Sequence, residues 1–114
     1  MVSLDGFCAL KLNKEFQYVY KKGKNAHSDS VVLFFLAKNN VHKFGFTATK
    51  KIGNAVVRNR AKRRLRALFR EYSSLLNDGS YVFVAKTSLY ESTYEKLKSD
   101  FEKILIKSKA IKND

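Results

Sequence analysis

Hydrophobic positions change their spacing several times along the chain, and each change marks an element. Phe16, Val19 and Tyr20 recur at i, i+3 and i+4, with Asn13 placed to cap and Gly23 to stop a helix over residues 14–22. Residues 30–37 and 42–49 are rich in β-branched and aromatic side chains. The turn-like Lys38-Asn39-Asn40 separates them, which predicts an antiparallel pair of strands. In the second strand Phe44, Phe46 and Ala48 alternate with Gly45, Thr47 and Thr49, so one face is apolar and the other open and small. From residue 55 to about 72 the period is helical: Val57, Ala61, Leu65, Leu68 and Tyr72 form one apolar stripe. After the turn Asn77-Asp78-Gly79, residues 81–86 read as another strand. Ser92-Thr93-Tyr94-Glu95 has the S-x-x-E form of a capping box, and opens a helix over 93–108 with Tyr94, Leu97, Phe101, Ile104 and Leu105 on one side.

The order helix, strands, helix, strand, helix predicts an α+β fold, a two-layer α/β sandwich with a mixed or antiparallel sheet; the strands are too few for a doubly wound one. With no proline, low-complexity tract or repeat to mark a boundary, residues 1–114 form one expected domain. A hydrophobic content of 45% and 13% aromatics argue against disorder. A single cysteine, Cys8, excludes an intrachain disulfide and a thiolate-held zinc or iron–sulfur site, which fits a reducing cytoplasm. The apolar run over residues 31–37 is far shorter than the roughly 20 residues that cross a bilayer, and the first ten residues lack a signal-peptide pattern. No membrane partner is expected.

Charge changes the picture. The 114 residues carry 23 Lys and Arg against 10 Asp and Glu, a formal charge of +13. Nine of the positive residues (Lys50, Lys51, Arg58, Arg60, Lys62, Arg63, Arg64, Arg66, Arg70) lie within residues 50–70, where there is no acid. The other 93 residues hold 14 positive and 10 negative charges, and all six arginines fall between positions 58 and 70. Lysine is generic solubilising charge, whereas arginine grips phosphate oxygens with a rigid fork of donors and stacks on bases. At about 100° per residue, Arg58, Asn59, Lys62, Arg63, Arg66 and Arg70 gather opposite the apolar stripe. Like charges at this spacing repel, so a polyanionic partner is implied. The preceding Thr49-Lys50-Lys51-Ile52-Gly53-Asn54 adds a tight turn and a helix start, a setting that favours phosphate.

The run Lys50-Lys51-Ile52-Gly53-Asn54-Ala55-Val56-Val57-Arg58-Asn59-Arg60-Ala61-Lys62-Arg63, followed by Arg66, resembles the "RNR" signature of the bacterial ribonuclease P protein subunit. The helix around Phe16-Gln17-Tyr18-Val19-Tyr20, the strand around Val32-Leu33-Phe34, the strand over 81–86 and the Tyr94-Glu95 helix start follow the family's order. The resemblance implies that the strands before and after the RNR helix are parallel and joined by a left-handed crossover, against the general right-handed rule. It implies RNA rather than DNA as partner: a catalytic RNA, and precursor tRNA whose 5′ leader the holoenzyme removes by hydrolysis of a phosphodiester bond. Lys50, Lys51, Asn54, Arg58, Asn59, Arg60, Lys62, Arg63, Arg66 and Arg70 would meet RNA, and Phe16, Tyr20, Phe34 and Lys86 would line a leader cleft. Where many members have Tyr this chain has Phe34, and where many have Arg it has Lys86, so a hydroxyl and a guanidinium fork are missing.

No catalytic residue is expected in the protein itself. Metal-assisted phosphodiester cleavage uses clustered carboxylates, and the ten acids here are scattered. No cofactor or metal is expected on the protein, with Mg²⁺ expected at the RNA's catalytic site; His27 and His42 lack ligand-spaced partners. The alternatives are a protein-only nuclease and a structural RNA-binding protein of ribosomal type. Dependence on the catalytic RNA separates the first from an accessory subunit, and dependence on the leader separates the second.

Overall fold

A computed structural model describes residues 3–4 and 6–112. A six-stranded sheet runs β1 (Ser3–Leu4), β2 (Phe7–Ala9), β5 (His42–Ala48), β6 (Gly79–Ala85), β4 (Val31–Ala37) and β3 (Lys24–His27) in spatial order. Three α-helices join them: α1 (Asn13–Lys22), α2 (Ala55–Tyr72) and α3 (Tyr94–Lys107). The sheet is mixed: β2, β5 and β6 are parallel, and β4 is antiparallel to β6 and to β3. The α+β sandwich expected from the pattern is therefore present, and the strands on either side of α2 are adjacent and parallel.

One pairing differs from the expectation. β4 and β5 do not form a hairpin, because β6 lies between them, with Val31 opposite Ala85 on one side and Ala48 opposite Ala85 on the other. The reason lies in β6 itself. Its residues are apolar on both faces, with Tyr81, Phe83 and Ala85 turned to one layer and Val82 and Val84 to the other, and six of its seven positions are buried. Such a strand is stable only where both faces and both edges are covered. Two caps also differ. Leu12, not Asn13, occupies the cap position of α1, and the Glu15 carboxylate accepts from the Leu12 and Lys11 N–H groups at 2.9 and 3.1 Å. At α3 the cap is Thr93 rather than Ser92, its hydroxyl accepting from the Lys96 N–H at 3.1 Å.

The helices divide unequally between the faces. The apolar stripe of α2 from Ala61 to Tyr72, extended by Phe69 but not reached by Val57, packs with Leu97, Phe101, Ile104 and Leu105 of α3 against Leu33, Phe35, Phe44, Phe46, Tyr81 and Phe83. Stacked and edge-on rings fill this layer, such as Phe83 on Phe101 at 4.7 Å. Asp100 is buried where α3 meets the start of β4, accepting from the Ser30 hydroxyl at 2.7 Å and from Lys96 at 2.9 Å. Burial pushes its carboxyl up, but Ser30 and Lys96 outweigh that and hold it below the usual range. Among the described residues the opposite face carries only α1, over a small cluster of Leu10, Val19 and Val82.

That single helix lies across the strands. Phe16 sits on Gly45 of β5, Val19 shares a cluster with Val82 of β6, Tyr20 meets Phe34 of β4, and Gly23 abuts the Phe35 backbone. Contact thus steps from β5 to β4 along ten residues of helix, and sheet is left uncovered on both flanks.

Candidate nucleic-acid interface

The basic surface is built by the loop after β5 and by α2. Gly53 has φ +152°, a conformation that side chains rarely adopt, and this lets the single-turn helix Lys50–Ile52 turn into α2. Asn54 caps α2 by accepting from the Val57 N–H at 3.1 Å. Lys50 and Lys51 are exposed just before it. Along α2, Asn59, Arg60, Arg63, Arg66 and Arg70 are exposed and Lys62 is half-buried. Val56, Asn59, Lys62, Arg63 and Arg66 line one shallow hollow. The Arg66 guanidinium lies 5.7 Å from the Phe46 ring centroid, which holds its fork against the sheet end.

The arginines do not all do the same work. Arg58 is half-buried and donates to the Gly53 carbonyl at 2.7 Å, so it braces the loop as well as lying beside the hollow. Arg64 points the other way, donating to the Leu89 and Ser92 carbonyls at 2.9 and 2.7 Å and pinning the segment that leads into α3. Arg60 lies away from the hollow, on the helix flank toward Arg64. Composition gave no hint of this division; the angular position of Arg64, off the main basic face, was its only sign.

The second surface is a groove on the flank of α1 that faces the basic loop. Lys11, Asn13, Phe16, Gln17, Tyr20 and Thr47 line it. Tyr20 packs edge-on against Phe34 at 4.8 Å, and Phe16, Tyr20 and Phe34 are each only partly buried. Gly45 admits the Phe16 ring: a Cβ there would lie 2.4 Å from its Cε1. The groove therefore exists because the outer face of β5 is small, as its alternation implied. Lys86, beyond the end of β6, is half-buried and donates to the Ser28 carbonyl at 2.7 Å; neither it nor Phe34 is among the residues that line this groove. Lys11, Asn13, Gln17 and Thr47 were not expected here; none of them carries a period or motif that would single it out. Thr47 lines the groove and Lys50 opens the basic loop three residues later, so the groove runs toward that loop, while the hollow on α2 lies on the other face of the sheet.

Among the described residues no group of three His, Cys, Asp or Glu is placed to hold a metal ion, and no helix is long and apolar enough to cross a membrane. The sequence profile of the family described as Ribonuclease P matches residues 4–109. The chain belongs to the ribonuclease P protein family. It is 45% identical over 102 residues to the ribonuclease P protein component of a Nitratiruptor species, covering 90% of this chain and 93% of that one. The Syntrophomonas wolfei protein component is 35% identical, covering 92% and 90%. Among solved structures, the Staphylococcus aureus RNase P protein superposes with a TM-score of 0.82 at 26% identity over 91% of this chain and 97% of that one. The Thermotoga maritima RNase P protein, 23% identical with a TM-score of 0.74 over 92% of this chain and 98% of that one, shares the fold.

Proposed function

We propose that this chain is the protein subunit of a cytoplasmic ribonuclease P, holding a catalytic RNA on α2 and the 5′ leader of precursor tRNA in the groove beside α1. Family membership over residues 4–109 supports the activity. The observation that carries the division of labour is the presence of two surfaces of different chemistry, linked by the loop after β5. One is an arginine-rich helix face suited to phosphate, and the other an aromatic groove suited to unpaired bases.

Each surface acts by position. Lys50, Lys51, Asn54, Asn59, Arg60, Lys62, Arg63, Arg66 and Arg70 meet phosphates and ribose of the catalytic RNA, with Arg58 bracing the loop and completing the patch. Phe16, Tyr20 and Phe34 offer ring faces and edges to leader bases, and Lys86 adds positive charge beyond the end of β6. Stacking is tolerant of sequence, as a processor of many precursors requires. The protein supplies no reacting group. Hydrolysis takes place at the RNA's Mg²⁺ site, and the protein raises the local occupancy of the substrate there.

Phe16→Ala tests the groove. It is expected to weaken binding of precursor tRNA to the reconstituted holoenzyme and to leave mature tRNA unaffected; equal losses would remove the leader assignment. Purified protein with Mg²⁺ alone is expected not to cut precursor tRNA, whereas cleavage without RNA would make the chain a nuclease in its own right.

A further inference from the structure

Because α1 crosses the strands, it leaves a second groove on its other flank, at the end of the sheet away from the RNR loop. Leu10, Leu36 and Val41 form its apolar part, Tyr18 stands at its wall with 58% of its surface exposed, and Lys14 and Lys38 rim it. Glu15, the one carboxylate that lines it among the described residues, is taken up by the Leu12 and Lys11 N–H groups and by Lys43 at 3.3 Å. Those contacts hold its carboxyl below the usual range, so it remains charged but compensated.

This groove runs on. Leu36 and Lys38 also border a broad hollow rimmed by Lys22, Lys24, Lys109 and Lys112. Asp78, the one acid that lines it among the described residues, accepts from the Asn40 N–H at 3.0 Å and from His42 at 2.6 Å. None of Lys22, Lys24, Lys38, Lys109 and Lys112 forms an ion pair among the described residues. An exposed ring over an apolar floor, leading into a lysine-rimmed hollow, has the two components of a sequence-tolerant single-strand site. A protein partner would fit the apolar part but would need a strongly acidic surface to fit the rest.

We propose that this far groove is a second single-stranded RNA site, which takes leader nucleotides upstream of those held by Phe16, Tyr20 and Phe34. The proposal rests on the leader assignment made above. The two grooves lie on opposite flanks of one ten-residue helix, whose C-terminal end carries Lys21, Lys22 and, just past it, Lys24. A strand leaving the first groove passes this cationic end to reach the second.

The test uses holoenzyme reconstituted with the cognate RNA and two precursor tRNAs, one with a short leader that ends within the first groove and one with a long leader. Tyr18→Ala, and separately the paired change Lys38→Gln with Lys109→Gln, are compared with the unmodified chain and with Phe16→Ala. All three replaced side chains are exposed, so the variants fold. The expected result is a loss of about five- to tenfold in affinity for the long-leader precursor alone, with the salt dependence of its binding flattened by the lysine changes. Equal affinity for the long-leader precursor in variant and unmodified protein overturns the proposal, as does an equal loss for both precursors. Phe16→Ala weakens both precursors if the first groove holds the leader; if it weakens neither, that assignment fails by itself.

Discussion

Replacing Gly45 with alanine perturbs the first groove without deleting any of its rings. An added Cβ would lie 2.4 Å from Cε1 and 2.6 Å from Cζ of Phe16, and 3.4 Å from Cδ1 of Leu10. Carbon atoms pack at about 3.5–4.0 Å, so the ring must withdraw by about 1 Å or more. Phe16 is half-buried and its outer edge can swing toward solvent, so the stability cost falls at the low end for overpacking, about 1 kcal/mol. The displaced ring no longer presents the same face to a base. Stacking on one aromatic contributes about 1–3 kcal/mol per base, and partial loss gives about 1 kcal/mol, or roughly fivefold weaker precursor binding. Equilibrium binding of precursor and mature tRNA to the holoenzyme reads this directly, with thermal unfolding as the stability control. Once Phe16→Ala is present, Gly45→Ala should add nothing further to the leader-dependent loss, because the two act through one ring. An unchanged preference for precursor over mature tRNA in Gly45→Ala would refute the placement of the leader on Phe16.

Arg63→Ala and Arg64→Ala should part company although the residues are neighbours. Arg63→Ala weakens binding to the catalytic RNA and flattens its salt dependence by about 0.7–0.9 in slope for each phosphate no longer neutralised, with little change in melting temperature. Arg64→Ala instead removes two charged hydrogen bonds to backbone carbonyls, costs about 1.5–3 kcal/mol in denaturant unfolding, and keeps the salt slope. Asp100 predicts a pH effect. Its carboxyl is held below the unfolded value, so the stability it contributes is present above the ordinary carboxylate range and is lost as pH falls through the lowered value. Asp100→Asn should cost about 1.5–3 kcal/mol at neutral pH and remove that part of the acid dependence, which urea unfolding across pH measures.

The sequence shows its helices more fully than its strand pairing, for physical reasons. The stripe from Val57 to Tyr72 is long and periodic, and α2 spans Ala55–Tyr72 as the stripe implies. The β4 and β5 segments are equally legible as strands, but nothing local to them says that β6 will lie between them; that follows from how completely β6 needs covering. The edge strand β3, Lys24–His27, is short and mostly exposed, so it carries no hydrophobic period, and β2 is only three residues long. At the site, the concentration of arginine marks the basic helix from composition alone. The split between Arg63 at the hollow and Arg64 against Leu89 and Ser92 depends on tertiary contacts 25 and 28 residues away. The small outer face of β5 was visible as Gly45 and Thr47; that it admits Phe16 required the crossing of α1 over the strands.

In the proposed function the chain joins a catalytic RNA to a leader through two surfaces of different chemistry. The most direct measurement is the affinity of the cognate RNA for precursor and for mature tRNA at low Mg²⁺, with and without this protein. The protein should strengthen precursor binding and leave mature tRNA unchanged, and Phe16→Ala should abolish most of the difference. An equal gain for both tRNAs, or none for either, would contradict it.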